Sequence, residues 1–169
     1  MTARPPVPWA QLIANTVTVG RYRSKIYASI TGCHYWTGAI SDSGHAKFRT
    51  AGSRKSGNSR VVTGHVFGWA LEYGPESLAD GRVVRHGCDE TSCQNPEHWK
   101  RGERAQNHED YLARRGRAGH ALSDVRGPHG RAVAIRQAIL TAEPGRIEEA
   151  IAAAIAAGNP SGAQQEALW

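Results

Sequence analysis

The sequence is poor in several residue types that mark particular protein classes. Its 169 residues include only 3 cysteines, 2 phenylalanines and 1 methionine. It has no continuous apolar run of about 20 residues, the length of a membrane-spanning helix. A small, odd number of cysteines argues against a disulfide scaffold and favours thiols that bind metal or stay free. The first ten residues contain three prolines and no apolar signal-peptide core, so we expect a cytoplasmic protein that does not associate with membranes.

Positive charge is what the chain has in excess. The formal net charge is +6, from 21 Lys and Arg against 15 Asp and Glu. Residues 1–120 contain 17 of the basic residues and only 10 of the acidic ones. This imbalance predicts a polyanionic partner bound by the N-terminal two thirds of the chain.

Composition and turn residues predict an α+β fold. We expect a loosely ordered lead-in over 1–30, a core over 31–117, a linker over 118–130 and a helical appendage over 131–169. Cys33–Thr37 and His45–Thr50 are typical of strands and are separated by turn-forming residues, which predicts an antiparallel hairpin. Further short strands are expected at residues 61–62 and 82–85, and helices at 63–74, 103–115, 132–140 and 144–158.

Three isoleucines spaced four residues apart mark the last predicted helix. Ile147, Ile151 and Ile155 form one narrow apolar stripe. The stripe fits packing against the rest of the chain, and it also fits a contact with a second copy in a homodimer.

Cysteine and histidine recur at intervals of five near the middle of the chain. Cys88, Cys93 and His98 are separated by turn-forming residues, and short spacers of this kind let one loop present several ligands to a zinc ion. A structural site needs a fourth ligand, and Cys33 is the only other thiol. His34 is an alternative fourth ligand, and a purely buried thiol at 33 or a packed ring at 98 also remains open.

Two residues beside this segment have catalytic chemistry. His86, two residues before Cys88, would be held in fixed geometry by a metal-stapled loop, which suits a general base. Asn107 lies on the predicted helix 103–115, and its amide oxygen is an acceptable hard ligand for Mg²⁺.

The run His86-x-Cys88-Asp89, Cys93-x-Asn95-Pro96-x-His98 and Gly102…Asn107 resembles the HNH endonucleases of the His-Me finger (ββα-metal) superfamily. The closest likenesses are phage-type members and a zinc-containing homing endonuclease. Cys33–Ala39 (CHYWTGA) resembles the "CW-WTG" opening of the phage-type members, and Gly64-His65-Val66 resembles their "AHR" helix start.

The resemblance covers about residues 33–116 and implies a function. His86 would be the general base and Asn107 would bind the single catalytic Mg²⁺ or another divalent ion. One structural zinc per chain would be bound by four side chains, Cys33, Cys88, Cys93 and His98. Val66 replaces the usual Arg, no second zinc site has a counterpart, and the C-terminal helices lie outside the resemblance.

Double-stranded DNA is the expected partner. Phosphate contacts are assigned to the cations of the hairpin and of the loop after it, namely Lys47, Arg49, Arg54, Lys55 and Arg60. His65, His108 and Asp110 are candidate assistants in catalysis. The leading hypothesis is a metal-dependent DNA endonuclease. Its alternatives are a zinc-stabilised DNA-binding module that cuts nothing and, more weakly, an RNA-directed nuclease.

Overall fold

The computed structural model describes residues 6–50, 59–115, 117 and 119–159. Over these ranges the chain has the predicted α+β composition, with small antiparallel sheets and six α-helices. The helices are α1 Trp9–Ala14, α2 Thr16–Arg23, α3 Gly64–Tyr73, α4 Arg104–Arg114, α5 Gly127–Thr141 and α6 Ile147–Ala157. The strands are β1 Ile26–Ala28, β2 His34–Trp36, β3 Ala39–Ile40, β4 Ala46–Arg49, β5 Val61–Thr63, β6 Val83–His86 and β7 Trp99–Gly102.

Strand pairing differs from the predicted hairpin. β2 pairs with β1, whereas β4 lies between β3 and β5 in a separate three-stranded sheet. Residues 34–36 and 46–49 are strands as predicted, but they do not pair with each other. The hairpin across the predicted turn at Ser41–Gly44 joins β3 to β4 instead. The indole of Trp36 folds back over Gly38, where a Cβ would collide with the ring, and its Nε1 donates to the carbonyl of Ala39 at 3.0 Å. The extended chain therefore breaks at Gly38 and restarts as β3.

An aromatic core joins the N-terminal helices to the three-stranded sheet and α3. Tyr22, Trp36, Phe48 and Phe67 are buried against one another, with ring centroids 5.0–5.9 Å apart. Leu12 of α1 joins the same cluster. The lead-in is thus helical between residues 9 and 23 rather than loosely ordered, because its apolar side chains complete this core.

A second core anchors the C-terminal helices. Tyr35 of β2 packs with Ile135 of α5 and Ile151 of α6, and Ile147 and Ile155 lie against the same cluster. The interpretation of the isoleucine stripe as intramolecular packing is confirmed. Part of the segment predicted as a linker is regular structure, since a short 3₁₀ turn occupies Ala121–Ser123 and α5 begins at Gly127.

The strands β6 and β7 form an antiparallel pair that runs directly into α4. His86 at the end of β6 faces Trp99 at the start of β7. Glu103 caps α4 through a reciprocal capping box with Gln106. This strand–strand–helix unit brings the end of β6 and one face of α4 to the same side. None of the helices in the described ranges is long and apolar enough to cross a membrane.

Candidate metal centre and active site

Three thiols and one imidazole converge between β2 and the loop that joins β6 to β7. The four side chains, hereafter the Cys₃His cluster, each place a ligand atom within 4.8 Å of the others, and they are Cys33, Cys88, Cys93 and His98. The Nδ1 atom of His98 lies 3.7 Å from Sγ of Cys33 and 3.5 Å from Sγ of Cys93. The cluster can bind a metal ion.

Backbone contacts hold the two halves of the cluster together. The amide of Gln94 donates to the carbonyl of His34 at 2.6 Å, next to Cys33. The side-chain amide of Asn95 donates to the carbonyl of Gly32 at 2.7 Å, while its oxygen caps the turn at Pro96–His98. The β2 end is therefore tied to the loop on both sides of the cluster.

The thiols share hydrogen bonds within the cluster. Hydrogen bonds from Cys33 and Cys88 lower the pKa of Cys93, and hydrogen bonds with Cys88 and Cys93 raise the pKa of Cys33. Cys93 is also fully buried and accepts from the amide of Asn95 at 3.4 Å. A thiolate at the centre of the cluster is the form that binds metal.

His86 is fixed by the loop that contains the cluster. Its Nε2 lies 2.9 Å from the carbonyl oxygen of Cys93. A carbonyl only accepts, so Nε2 carries the proton and Nδ1 has a free lone pair. Burial lowers the pKa of His86 to about 4, which keeps the ring neutral near pH 7.

Asn107 and His86 line the same pocket. Asn107 is exposed on α4, and the pocket of about 420 Å³ is lined by both residues together with His45, Arg104 and His108. His108 thus faces the same space, whereas Asp110 pairs with Arg85 and Arg114.

A basic side chain that the sequence analysis did not single out borders this pocket. Arg104 also lines a neighbouring pocket of about 650 Å³, which contains Lys47, His45 and His65. Lys47 and Arg104 are exposed, and neither has an ion-pair partner within the described part of the chain. Arg104 is the first residue of α4, and no motif or spacing in the sequence identified it in advance.

The residues predicted to contact DNA lie in different parts of the structure. Lys47 and Arg49 are exposed two residues apart on β4, so they lie on the same face of the strand. Arg60 is half-buried and lines a pocket beside α1 and α2. Arg54 and Lys55 lie outside the described residues.

Two further histidines lie beside His86. His65 was predicted as a candidate assistant in catalysis, whereas His45 was predicted only as a strand residue and was missed as a site residue. The rings of His65 and His86 have centroids 4.4 Å apart, and that of His45 lies 5.3 Å from His65. The three come from separate elements, so no local spacing could have revealed the group.

Comparison with known proteins finds a phage relative. Over 82 residues the chain is 33% identical to Protein 7.7 of Escherichia phage T7. The alignment covers 48% of this chain and 56% of that protein, so the chain spans a little over half of the relative's length. No family model and no solved structure matches the chain.

Proposed function

We propose that the protein is a metal-dependent DNA endonuclease with a ββα-metal core of the HNH type. The observation that carries the proposal is that His86 of β6 and Asn107 of α4 line one pocket beside the Cys₃His cluster. His86 comes from a strand and Asn107 from the helix that follows the strand pair. Together they can supply a general base and a metal ligand to one phosphate group.

Zinc is the ion that fits the Cys₃His cluster. Zn–S bonds of about 2.3 Å and a Zn–N bond of about 2.0–2.1 Å, set at a tetrahedral angle, separate sulfur from nitrogen by about 3.6 Å. The two sulfur–nitrogen distances at His98 are 3.7 and 3.5 Å. The soft thiolates and the closed set of four protein ligands also favour a structural zinc over a catalytic one. His34 is not part of this set.

His86 acts as the general base. The bond from its Nε2 to the carbonyl of Cys93 fixes the tautomer, so Nδ1 is the atom that accepts a proton from the attacking water. Burial keeps the ring neutral before the reaction. The same bond stabilises the ring after it has taken up the proton.

Asn107 would hold the catalytic Mg²⁺. It offers a single amide oxygen, so the phosphate oxygens of bound DNA and water would complete the coordination. The exposed position of Asn107 in the pocket leaves room for them. When bound, the ion supplies charge stabilisation at the phosphate and at the leaving 3′ oxygen.

Double-stranded DNA is the substrate that the charge distribution favours. Lys47 and Arg104 line the two adjoining pockets, and Arg49 lies on the same exposed face of β4 as Lys47. All three suit contacts with phosphates. One such site cuts one strand, so cutting both requires a homodimer or two successive nicks. The similarity to a phage protein is consistent with a phage origin.

Plasmid nicking tests the proposal. Purified protein with supercoiled plasmid and Mg²⁺ should produce nicked circles, and EDTA or His86→Ala should abolish them. His129→Ala, which removes an exposed histidine outside the pocket, is the matched control and should nick normally. If the wild-type protein binds DNA in a gel shift but never nicks it, the non-catalytic zinc-stabilised binding module replaces the nuclease.

A further inference from the structure

Three histidines from different parts of the chain meet at the pocket. His45 precedes β4, His65 is in the first turn of α3, and His86 ends β6. These residues, hereafter the histidine trio, have ring centroids 4.4–5.8 Å apart. One ring nitrogen of each lies within 4.8 Å of a ring nitrogen of the other two.

Hydrogen bonding leaves a free lone pair on two rings of the trio. The Nε2 of His65 lies 3.2 Å from the carbonyl of Val84, as the Nε2 of His86 lies beside the carbonyl of Cys93. Both Nε2 atoms therefore carry protons, and both Nδ1 atoms are acceptors only. Nδ1 of His65 is buried with no hydrogen-bond partner among the described residues. Two lone pairs cannot satisfy each other, but a cation between the rings satisfies both.

His45 supplies the third nitrogen. Its Nδ1 lies 2.9 Å from the hydroxyl of Ser43 in the turn before β4. With Nδ1–H donating to that hydroxyl oxygen, Nε2 has the lone pair for a ligand. The ring also lines both pockets, so an ion can enter from solvent.

We propose that the histidine trio is a second metal site, which binds a divalent transition ion such as Zn²⁺. Three neutral imidazoles prefer Zn²⁺, Co²⁺, Ni²⁺ or Cu²⁺ to the hard ion Mg²⁺. An ion there occupies Nδ1 of His86, the nitrogen that the hydrolysis uses. The site is therefore inhibitory, and this consequence alone rests on the proposed nuclease function.

Cobalt titration tests binding without any assay of activity. Protein that contains one zinc per chain should bind one further Co²⁺, with visible cobalt absorption but no thiolate-to-cobalt charge-transfer band. His45→Ala should weaken this binding at least about tenfold, because loss of a ligand costs no less than loss of its outer-shell partner. His129→Ala leaves the trio intact and should bind normally. His45→Gln keeps a polar side chain of similar reach and serves as a second variant, with circular dichroism as the check on folding.

The proposal is overturned if the wild-type protein binds no cobalt beyond the Cys₃His cluster, or if both His45 variants bind cobalt as the wild type does.

A separate assay tests inhibition. Zn²⁺ in excess of one equivalent should suppress plasmid nicking by the wild type. It should suppress nicking by His45→Ala less, when the rate of each protein is compared with its own rate without added Zn²⁺. A protein that binds the second ion and never nicks DNA would refute the nuclease alone, whereas nicking without a second ion would refute the histidine site alone.

Discussion

The Nε2 atom of His86 lies 2.9 Å from the carbonyl oxygen of Cys93, which is itself a member of the Cys₃His cluster. One residue thus presents its thiol to the metal centre and its backbone to the candidate base. The position and tautomer of His86 depend on the loop that the cluster organises. In the proposed nuclease, a metal bound by the cluster would therefore set the geometry of the general base without contacting the substrate.

Removing a thiol from the cluster should unfold the loop. Cys93→Ser is expected to lose one metal ion per chain and about 3 kcal/mol or more of stability, because a structural metal contributes folding free energy directly. Metal analysis and thermal denaturation measure both effects. His34→Ala, next to Cys33 but outside the cluster, should keep its metal. A Cys93→Ser protein that is as stable as the wild type would disprove the structural role of the metal.

Asn107→Ala should abolish nicking without affecting the fold. Asn107 is exposed on α4 and alanine is the best helix former, so stability should not fall. We expect a loss of about 100-fold or more in nicking rate, typical of the removal of one group that stabilises transition-state charge. Glu109→Ala changes another exposed residue of the same helix and should nick at the wild-type rate. Equal rates for the two variants would remove Asn107 from the mechanism.

The exposed cations of β4 should contribute to the salt dependence of DNA binding. Replacing Lys47 and Arg49 together by alanine is expected to reduce the slope of log K against log salt concentration by about 2, close to one per lost phosphate contact. Fluorescence anisotropy at several salt concentrations measures the slope. The double variant of Arg21 and Arg23, exposed at the end of α2, removes the same charge and should keep the wild-type slope. Equal slopes for the two double variants would mean that DNA does not contact this face of β4.

A pair of glycine substitutions tests the packing behind the site. A Cβ at Gly68 of α3 would overlap the ring of Trp99 and the hydroxyl of Tyr22, whereas a Cβ at Gly20 of α2 meets nothing within 4 Å. We expect Gly68→Ala to destabilise by about 2 kcal/mol and Gly20→Ala to stabilise by about 0.5–1 kcal/mol. Chemical denaturation measures both. Similar stabilities would mean that α3 does not pack tightly on β7.

Asp124 should contribute to stability in a pH-dependent way. Burial alone would raise its pKa, but hydrogen bonds from the side chain and backbone of Arg126 outweigh burial and lower the pKa. Its contribution is therefore complete above the ordinary aspartate pKa of about 3.9 and disappears as the pH falls through the lower folded value.

Asp124→Asn is expected to cost about 2 kcal/mol at pH 7, and the difference from wild type should shrink below about pH 4. Denaturation curves at pH 7 and pH 3 give the comparison. Glu149→Gln breaks an exposed pair with Arg146 and should change stability little at either pH. A constant difference between Asp124→Asn and wild type at both pH values would contradict the role of the carboxylate.

Local patterns in the sequence predicted what depends on local geometry. The spacing of five residues predicted that Cys88, Cys93 and His98 lie together. The prediction succeeded because one short segment of chain contains all three. Cys33 could be added only as the remaining thiol. Pairing of β4 was wrong because the choice between β2 and β3 depends on the break at Gly38, which alternation of side chains does not encode.

Long-range convergence was beyond the sequence. His45 lies 20 residues before His65, and His65 lies 21 residues before His86. Only the packing of α3 against the sheets joins the three. The lead-in helices were missed because α1 and α2 are short and weakly patterned, with stability that comes from Leu12 and Tyr22 in the aromatic core.

The ion pair between Arg131 of α5 and the buried Glu90, at 2.7 Å, has a consequence for protein engineering. It joins the C-terminal helices to the loop that contains the Cys₃His cluster, while Ile135 covers Tyr35 on the strand that follows Cys33. A truncation after residue 117 would leave the buried carboxylate of Glu90 without its partner and would expose the ring of Tyr35 beside the Cys₃His cluster. The C-terminal helices therefore support the cluster, and a shortened protein meant to keep it would have to include them.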